Sequence, residues 1–116
     1  MTEPSPQKER RRAPRALADF PIRLAQDPTA EPAVLRDISE IGLSCVSPRE
    51  LPEMTLVGFE FHLPGAATTA HSVVGAVVRC EPLPNDRYDV AVYFTELRPE
   101  TRAALAAFVA DAEPAQ

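Results

Sequence analysis

Two short groups of residues have the types and spacing to bind an anion. Arg11 and Arg15 stand four apart in the run RRAPR, and Asp37, Ser39 and Gly42 form a D-x-S-x-x-G pattern further along the chain. Arginine carries a planar fork that holds a phosphate through two hydrogen bonds and also stacks on a base. A carboxylate accepts hydrogen bonds, a hydroxyl donates and accepts, and a glycine lets the backbone turn closely. The basic group is therefore suited to a compact anion.

Each group alone also has a simpler interpretation. Basic runs near a terminus are commonly solvated tails or electrostatic tethers. The side chains of Asp37 and Ser39 can bond to the amides of a turn without any ligand. The patterns by themselves leave both interpretations open.

Strand-like segments surround the two groups. Alternation of apolar and polar residues, or continuous apolar runs, mark the strands, and clusters of Pro, Gly, Asp and Ser separate them. Pro21 in the first strand indicates an edge position or a bulge. The predicted strands are 16–24, 33–46 (two short strands joined at Ser39–Glu40), 56–63, 72–80 and 87–94.

The pattern changes period near the C-terminus. Pro99 suits the first turn of a helix, and Leu105, Phe108 and Val109 share one face at 3.6-residue spacing. A helix is predicted over 99–111. The whole pattern predicts a mainly β fold: a small six-stranded antiparallel β-barrel with a C-terminal α-helix.

The length of 116 residues fits one domain. We expect a flexible N-terminal arm over 1–9, next to the basic residues of 10–15, then the domain over 10–112 and a disordered tail over 113–116. No apolar run is long enough to span a bilayer, and the basic start lacks the apolar stretch of a secretory signal. We therefore expect a cytoplasmic protein without membrane insertion.

The charge is divided unevenly along the chain. Residues 1–15 hold five basic and two acidic side chains, a net charge of +3, whereas the remaining 101 residues hold 7 basic and 15 acidic side chains, a net charge of −8. An acidic body repels a phosphate backbone, so binding to nucleic acid is not expected.

The cysteines and histidines give no metal signature. Cys45 and Cys80 lie inside apolar strand segments, which favours reduced core residues. His62 and His71 lack the paired spacing of a structural zinc site and are expected to point outward from strands. No metal, cofactor or catalytic residue is predicted.

The two motifs and their setting resemble the PilZ domain family. The R-x-x-x-R pattern precedes the first strand, D-x-S-x-x-G lies at a strand-to-strand turn, and the run VYFTEL closes the last strand before the helix. In that family the two motifs form a site for the bacterial second messenger cyclic di-GMP. The resemblance implies a small split-barrel fold of bacterial origin and a receptor rather than an enzyme.

The resemblance also implies roles for individual residues. Arg11 and Arg15 would contact phosphate and guanine, Asp37 and Ser39 would contact guanine, and Gly42 would position them. This agrees with chemistry, because arginine pairs with guanine O6 and N7 and a carboxylate accepts from the guanine N1–H and N2–H₂ groups.

Arg10 stands immediately before the R-x-x-x-R pattern. An arginine there is associated in the family with an intercalated ligand dimer, so the resemblance favours two nucleotides per protomer. Two positions depart from the family pattern: Ile41 stands where a small residue is frequent, and Ala91 where glycine is common.

The function that the resemblance implies is a cyclic di-GMP receptor that transmits occupancy to an unidentified protein partner. The alternative is a degenerate PilZ-like adaptor that binds a protein partner without nucleotide. An enzyme is not expected, because the chain has no G-x-S-x-G pattern and no glycine-rich phosphate loop.

Overall fold

The computed structural model describes residues 15–27 and 29–112. The predicted arm and tail, and with them Arg10 and Arg11, lie outside the described residues. The elements in chain order are β1 (Ala16–Leu17), β2 (Pro21–Leu24), β3 (Ala33–Ile38), β4 (Gly42–Ser47), β5 (Leu56–Leu63), β6 (Ala66–Leu83), a 3₁₀ turn (Pro84–Asp86), β7 (Arg87–Leu97) and α1 (Pro99–Ala112).

The strands close into a barrel. Their order is β3-β2-β5-β6-β7-β4, and β4 pairs back with β3, so each of these six strands has two neighbours. All pairings are antiparallel. The two-residue β1 adds to β3 outside this ring. The prediction of a six-stranded antiparallel barrel with one C-terminal helix is confirmed.

The first predicted strand is in fact two strands. Between β1 and β2 the chain still follows β3, because the Ala18 N–H donates to the Arg36 carbonyl and the Leu35 N–H donates to the Phe20 carbonyl, both at 3.0 Å. Pro21 then opens β2, where its missing N–H is tolerated. β2 pairs first with β3 and then with β5, and so makes a corner of the barrel.

The barrel interior is filled by alternate side chains. The period of two in β5 puts four apolar side chains inside, and β7 contributes Val90, Val92 and Phe94. Leu35, Ile38 and Leu43 complete the wall next to the D-x-S-x-x-G pattern. This packing holds β3, β4 and β7 together, and these are the strands that carry the candidate site.

The helix covers one end of the barrel. Leu105 and Val109 are buried, and the Phe108 ring meets Phe20 edge to face with centroids 6.1 Å apart. The helix runs one residue further than predicted. It is the only helix longer than one turn among residues 15–27 and 29–112, and no helix there is long and apolar enough to cross a membrane.

The expectation that His71 points outward is wrong, whereas His62 is exposed as expected. β6 begins at Ala66, well before the predicted start at 72, because the chain turns at Gly65, whose φ is +86°. His71 therefore shares the inward phase of Val73. It is buried, with Nδ1 3.2 Å from the Thr101 hydroxyl of α1.

Candidate functional site

The candidate site lies on the outer wall of the barrel, at the D-x-S-x-x-G segment. There, four residues on adjacent strands form a row of direct cross-strand partners: Asp37 opposes Ser44, Ser44 opposes Ala91, and Ala91 opposes Arg79. Cross-strand partners point to the same face of a sheet. One row on the wall therefore presents a carboxylate, a hydroxyl, a methyl group and a guanidinium group.

A second row runs beside the first. Gly42 opposes Tyr93, and Tyr93 opposes Ala76. The Tyr93 side chain is 56% exposed, so most of its ring is open to solvent. The two rows enclose a cleft of about 200 Å³. The polar and aromatic residues that line it, together with Gly42, are Arg15, Asp37, Gly42, Ser44, Arg79 and Tyr93.

Arg15 reaches this cleft from the residue before β1. Its Nη1 bonds to Asp37 Oδ1, and the Ser44 hydroxyl donates to the other carboxylate oxygen at 2.9 Å. β1 fixes this approach, because Leu17 opposes Asp37 in the β1–β3 pairing. The structure thus brings residues of the two sequence motifs into direct contact.

Gly42 is required for space rather than for an unusual backbone angle. Among the described glycines only Gly65 has a positive φ. A Cβ atom on Gly42 would lie 2.4 Å from the carbonyl oxygen of Val92, which no real structure accommodates without movement. The sequence pattern predicts that Gly42 lets the backbone turn closely, but the structure shows that glycine is needed here because β4 lies close to β7.

Ser39 does not line the cleft in this structure. β3 ends at Ile38, so Ser39 lies in the turn after the strand and not on the strand face that carries Asp37. Its side chain is fully buried. Its hydroxyl accepts from the Ile41 N–H at 3.2 Å and donates to the Gly42 carbonyl at 3.4 Å. These are the turn bonds of the simpler interpretation, and the ligand contact assigned to Ser39 stays a prediction.

Sequence reasoning missed Ser44, Arg79 and Tyr93. Each points outward from its strand and is the cross-strand partner of a motif residue or of Ala91. The alternation of β4 and β7 could have identified Ser44 and Tyr93 as outward. Only the pairing of β6 with β7 places Arg79 beside them, and sequence alone does not give that register.

Arg79 belongs to a charge network at the edge of the cleft. Its Nη2 donates to Asp89 Oδ1 at 3.2 Å, while Arg36 Nη1 lies 3.3 Å from the other oxygen of Asp89. Two guanidinium groups thus share one carboxylate. The network carries a net positive charge beside the cleft although the body of the protein is acidic.

The cysteines lie away from this wall. Cys45 is buried and Cys80 is half-buried, and both oppose Val90 on the inner face. Burial, together with the charge of Asp89 and the neighbouring Cys80, raises the pKa of the Cys45 thiol to about 12. A thiol held in its protonated form is a poor nucleophile. Within the described ranges, no cluster of three or more His, Cys, Asp or Glu side chains is arranged to hold a metal ion.

A family model named PilZ domain matches residues 9–111. The match covers most of the chain, both motifs and the closing helix. The chain belongs to the PilZ domain family. The comparison with curated proteins gives no significant match.

Two solved structures share the fold. The Bacillus subtilis inhibitor of motility MotI/DgrA aligns with a TM-score of 0.76 and 17% identity, over 93% of this chain and 55% of that chain. This chain therefore spans little more than half the length of that protein. The PilZ domain of YcgR from Escherichia coli, solved with c-di-GMP, aligns with a TM-score of 0.60 and 18% identity, over 89% of this chain and 91% of that chain.

Proposed function

We propose that this chain is a cyclic di-GMP receptor domain that passes on ligand occupancy to a protein partner. The observation that carries the proposal is the meeting of Arg15, Asp37 and Gly42, from two separate motifs, at one cleft on the barrel wall. The YcgR domain, which has the same fold, was solved with this ligand.

The chemistry of the cleft supports the proposal. Asp37 is an acceptor suited to the N1–H and N2–H₂ donors of guanine, and Arg15 is a donor suited to phosphate or to guanine O6 and N7. In this structure the two side chains bond to each other. A bound guanine would replace Arg15 at Asp37 Oδ1, and the released guanidinium would then be available to the ligand phosphate.

The remaining motif residues complete the proposed site. Arg11 would add a second phosphate or guanine contact, and Arg10 would support a second, intercalated nucleotide. Ser39 would join the ligand shell only if the turn that it braces rearranges. We propose two nucleotides per protomer, and the stoichiometry of binding tests this number and the role of Arg10.

Receptor action and not catalysis is the proposed role. The ligand would order the segment that carries the arginines against the barrel, and this changed surface would be read by a protein partner in the cytoplasm. Ordering a segment costs conformational entropy, which charge-assisted hydrogen bonds to two phosphates offset.

Two observations favour a second candidate, a PilZ-like adaptor that binds no nucleotide. Both oxygens of Asp37 already have protein partners. Ile41, which stands where the family frequently has a small residue, also lines the cleft. A carboxylate that protein groups already satisfy can form part of a fixed surface.

Isothermal titration with cyclic di-GMP separates the two candidates. We expect saturable binding by the wild-type chain, no response to GTP, and loss of binding in Arg15→Ala. Arg49→Ala is the matched control, because Arg49 makes a similar exposed ion pair with Asp27 at 3.3 Å but does not line the cleft. An inflection at two equivalents that falls to one in Arg10→Ala would support the ligand dimer. Absence of binding by folded wild-type protein would leave the adaptor.

A further inference from the structure

Arg79 stands at the opposite end of the cleft row from Asp37. Three strand spacings separate them, which is about 14 Å measured along the curved wall. Ser44 and Ala91 occupy the two positions between them. The small side chains leave room over the wall, so the two charged side chains face a common space from its two ends.

The guanidinium group of Arg79 uses little of its hydrogen-bonding capacity. Among the described residues its single recorded bond goes from Nη2 to Asp89, and its Nε–H is buried without an acceptor. Arginine has five N–H donors, and a buried donor without a partner is unfavourable. The side chain therefore gains hydrogen bonds when it turns towards an acceptor in the cleft.

Asp89 keeps an ion-pair partner when Arg79 moves away. Arg36 holds the other carboxylate oxygen of Asp89 at 3.3 Å. The carboxylate is largely buried, and it keeps a charged partner when Arg79 moves. This second ion pair lowers the cost of swinging Arg79 into the cleft, because a buried carboxylate without a partner would be strongly destabilising.

Tyr93 completes the environment. Its exposed ring lies on the same face of β7 as Ala91, the cross-strand partner of Arg79. Aromatic rings serve as platforms on which bases stack. The cleft thus offers an acceptor at one end, a donor fork at the other and an aromatic surface beside them.

We infer that Arg79 is a specificity-determining ligand contact that binds O6 and N7 of the same guanine whose N1–H and N2–H₂ groups donate to Asp37. The Watson–Crick and N7 edges lie on different sides of a guanine, so a base held by Asp37 turns N7 away from it. The arginine fork matches O6 and N7 through two hydrogen bonds. The inference rests on the proposed cyclic di-GMP binding and adds a guanine-reading arginine outside both motifs.

A matched pair of variants tests the role of Arg79. Arg79→Ala and Arg87→Ala each remove one ion pair, that of Arg79 with Asp89 and that of Arg87 with Glu31 at 2.9 Å, but only Arg79 lines the cleft. In titrations of the full chain with cyclic di-GMP we expect Arg79→Ala to weaken binding roughly tenfold or more. Arg87→Ala should stay within about twofold of wild type, since Arg87 lies outside the cleft and does not pair with Asp89. Equal affinity of wild type and Arg79→Ala would overturn the inference.

An analogue of the ligand separates contact from a structural effect. In cyclic di-7-deazaguanylate a carbon replaces N7 of each guanine, so the analogue should bind the wild type more weakly than cyclic di-GMP. If Arg79 binds N7, this penalty shrinks or disappears in Arg79→Ala, whereas an unchanged penalty in the variant contradicts the inference. Failure of wild-type protein to bind cyclic di-GMP would instead reject the proposed function, and this inference with it.

Discussion

Asp37 is the residue at which the two sequence motifs meet. Its carboxylate is bonded on one side to Arg15 and on the other to the hydroxyl of Ser44. Ser44 bonds to one oxygen, so under the proposed function the other oxygen would exchange Arg15 for a donor of the ligand. The carboxylate is partly exposed, which permits that exchange.

Asp37→Asn should weaken cyclic di-GMP binding by about 1–3 kcal/mol, because a charge-assisted acceptor is replaced by a neutral amide. Calorimetric titration measures the change. Asp27→Asn is the control, since Asp27 also pairs with an exposed arginine, Arg49, but lies outside the cleft. Equal affinity of the two variants for cyclic di-GMP would show that Asp37 does not contact the ligand.

Asp37 can also be probed from the side of the ligand. Cyclic di-IMP lacks the guanine N2–H₂ group, so it should bind wild-type protein more weakly than cyclic di-GMP does. The difference between the two ligands should be smaller in Asp37→Asn than in wild type. The same difference in both proteins would indicate that another group accepts from N2–H₂.

Cys45 gives a prediction for alkaline pH. Its pKa is raised to about 12 in the folded protein, chiefly by burial, whereas an unfolded thiol ionises near pH 8.5. Between these values the folded state holds a proton that the unfolded state has lost. The free energy of unfolding should therefore be unaffected by this group below about pH 8 and fall by about 1.4 kcal/mol per pH unit above about pH 9.

Urea denaturation at pH 8 and pH 10 measures this loss. Cys45→Ala should be less stable than wild type at both pH values, because it leaves a small cavity, but its stability should fall less between them. The two proteins differ only at residue 45, so the difference between the two slopes belongs to Cys45. Parallel slopes would contradict the prediction.

At the scale of elements, a buried polar contact ties α1 to the barrel within an apolar interface. His71 on β6 and Thr101 in the first turn of α1 are both buried and share a hydrogen bond of 3.2 Å. The His71 ring also packs against Phe61, with centroids 5.9 Å apart. The contact fixes where the first turn of the helix meets the strand.

Thr101→Val should destabilise the fold by about 1–3 kcal/mol, because the variant keeps the shape of threonine but leaves His71 Nδ1 buried without its partner. Chemical denaturation measures the loss. Thr95→Val is the control, since its hydroxyl bonds at an exposed site to the Val74 carbonyl at 3.3 Å. A loss no larger than that of the control would show that the buried bond contributes nothing.

The contact between β4 and β7 gives a second prediction at this scale. Gly42→Ala places a methyl group 2.4 Å from the Val92 carbonyl oxygen, so the two strands must separate. We expect a destabilisation of about 1–3 kcal/mol. Gly58→Ala is the comparison, since its nearest neighbour is the Ala25 side chain at 3.3 Å, and it should cost less. A Gly42→Ala protein as stable as Gly58→Ala would contradict the steric argument.

At the scale of the whole molecule, the proposed ligand would bind at the strands that close the barrel. Asp37, Ser44 and Arg79 belong to β3, β4 and β6, and β7 lies between the last two. A ligand that bridges them binds the folded state and not the unfolded chain. Binding and global stability are then linked.

Cyclic di-GMP at about 100 times its dissociation constant should therefore stabilise the protein by about 2.7 kcal/mol and raise its Tm by on the order of 10 °C. Thermal denaturation followed by circular dichroism checks the shift. The shift should be absent in Arg15→Ala and fall in Arg79→Ala at the same ligand concentration. A full shift in Arg15→Ala would place the ligand elsewhere on the molecule.

The local sequence determined the elements, because alternation with a period of two and the 3.6-residue spacing after Pro99 are properties of neighbouring residues. It also identified Asp37, Gly42 and Arg15, whose types and spacing are visible in the chain. It misplaced His71, because a turn at Gly65 lengthens β6 and sets the phase of its side chains.

Only the tertiary structure decided which residues share the cleft. Ser44, Tyr93 and Arg79 reach Asp37 and Gly42 through strand register, and register depends on packing between segments far apart in the chain. Close approach of β4 to β7, not a turn, likewise explains Gly42. A motif can be recognised in one segment, but a wall built from four strands exists only after the barrel has closed.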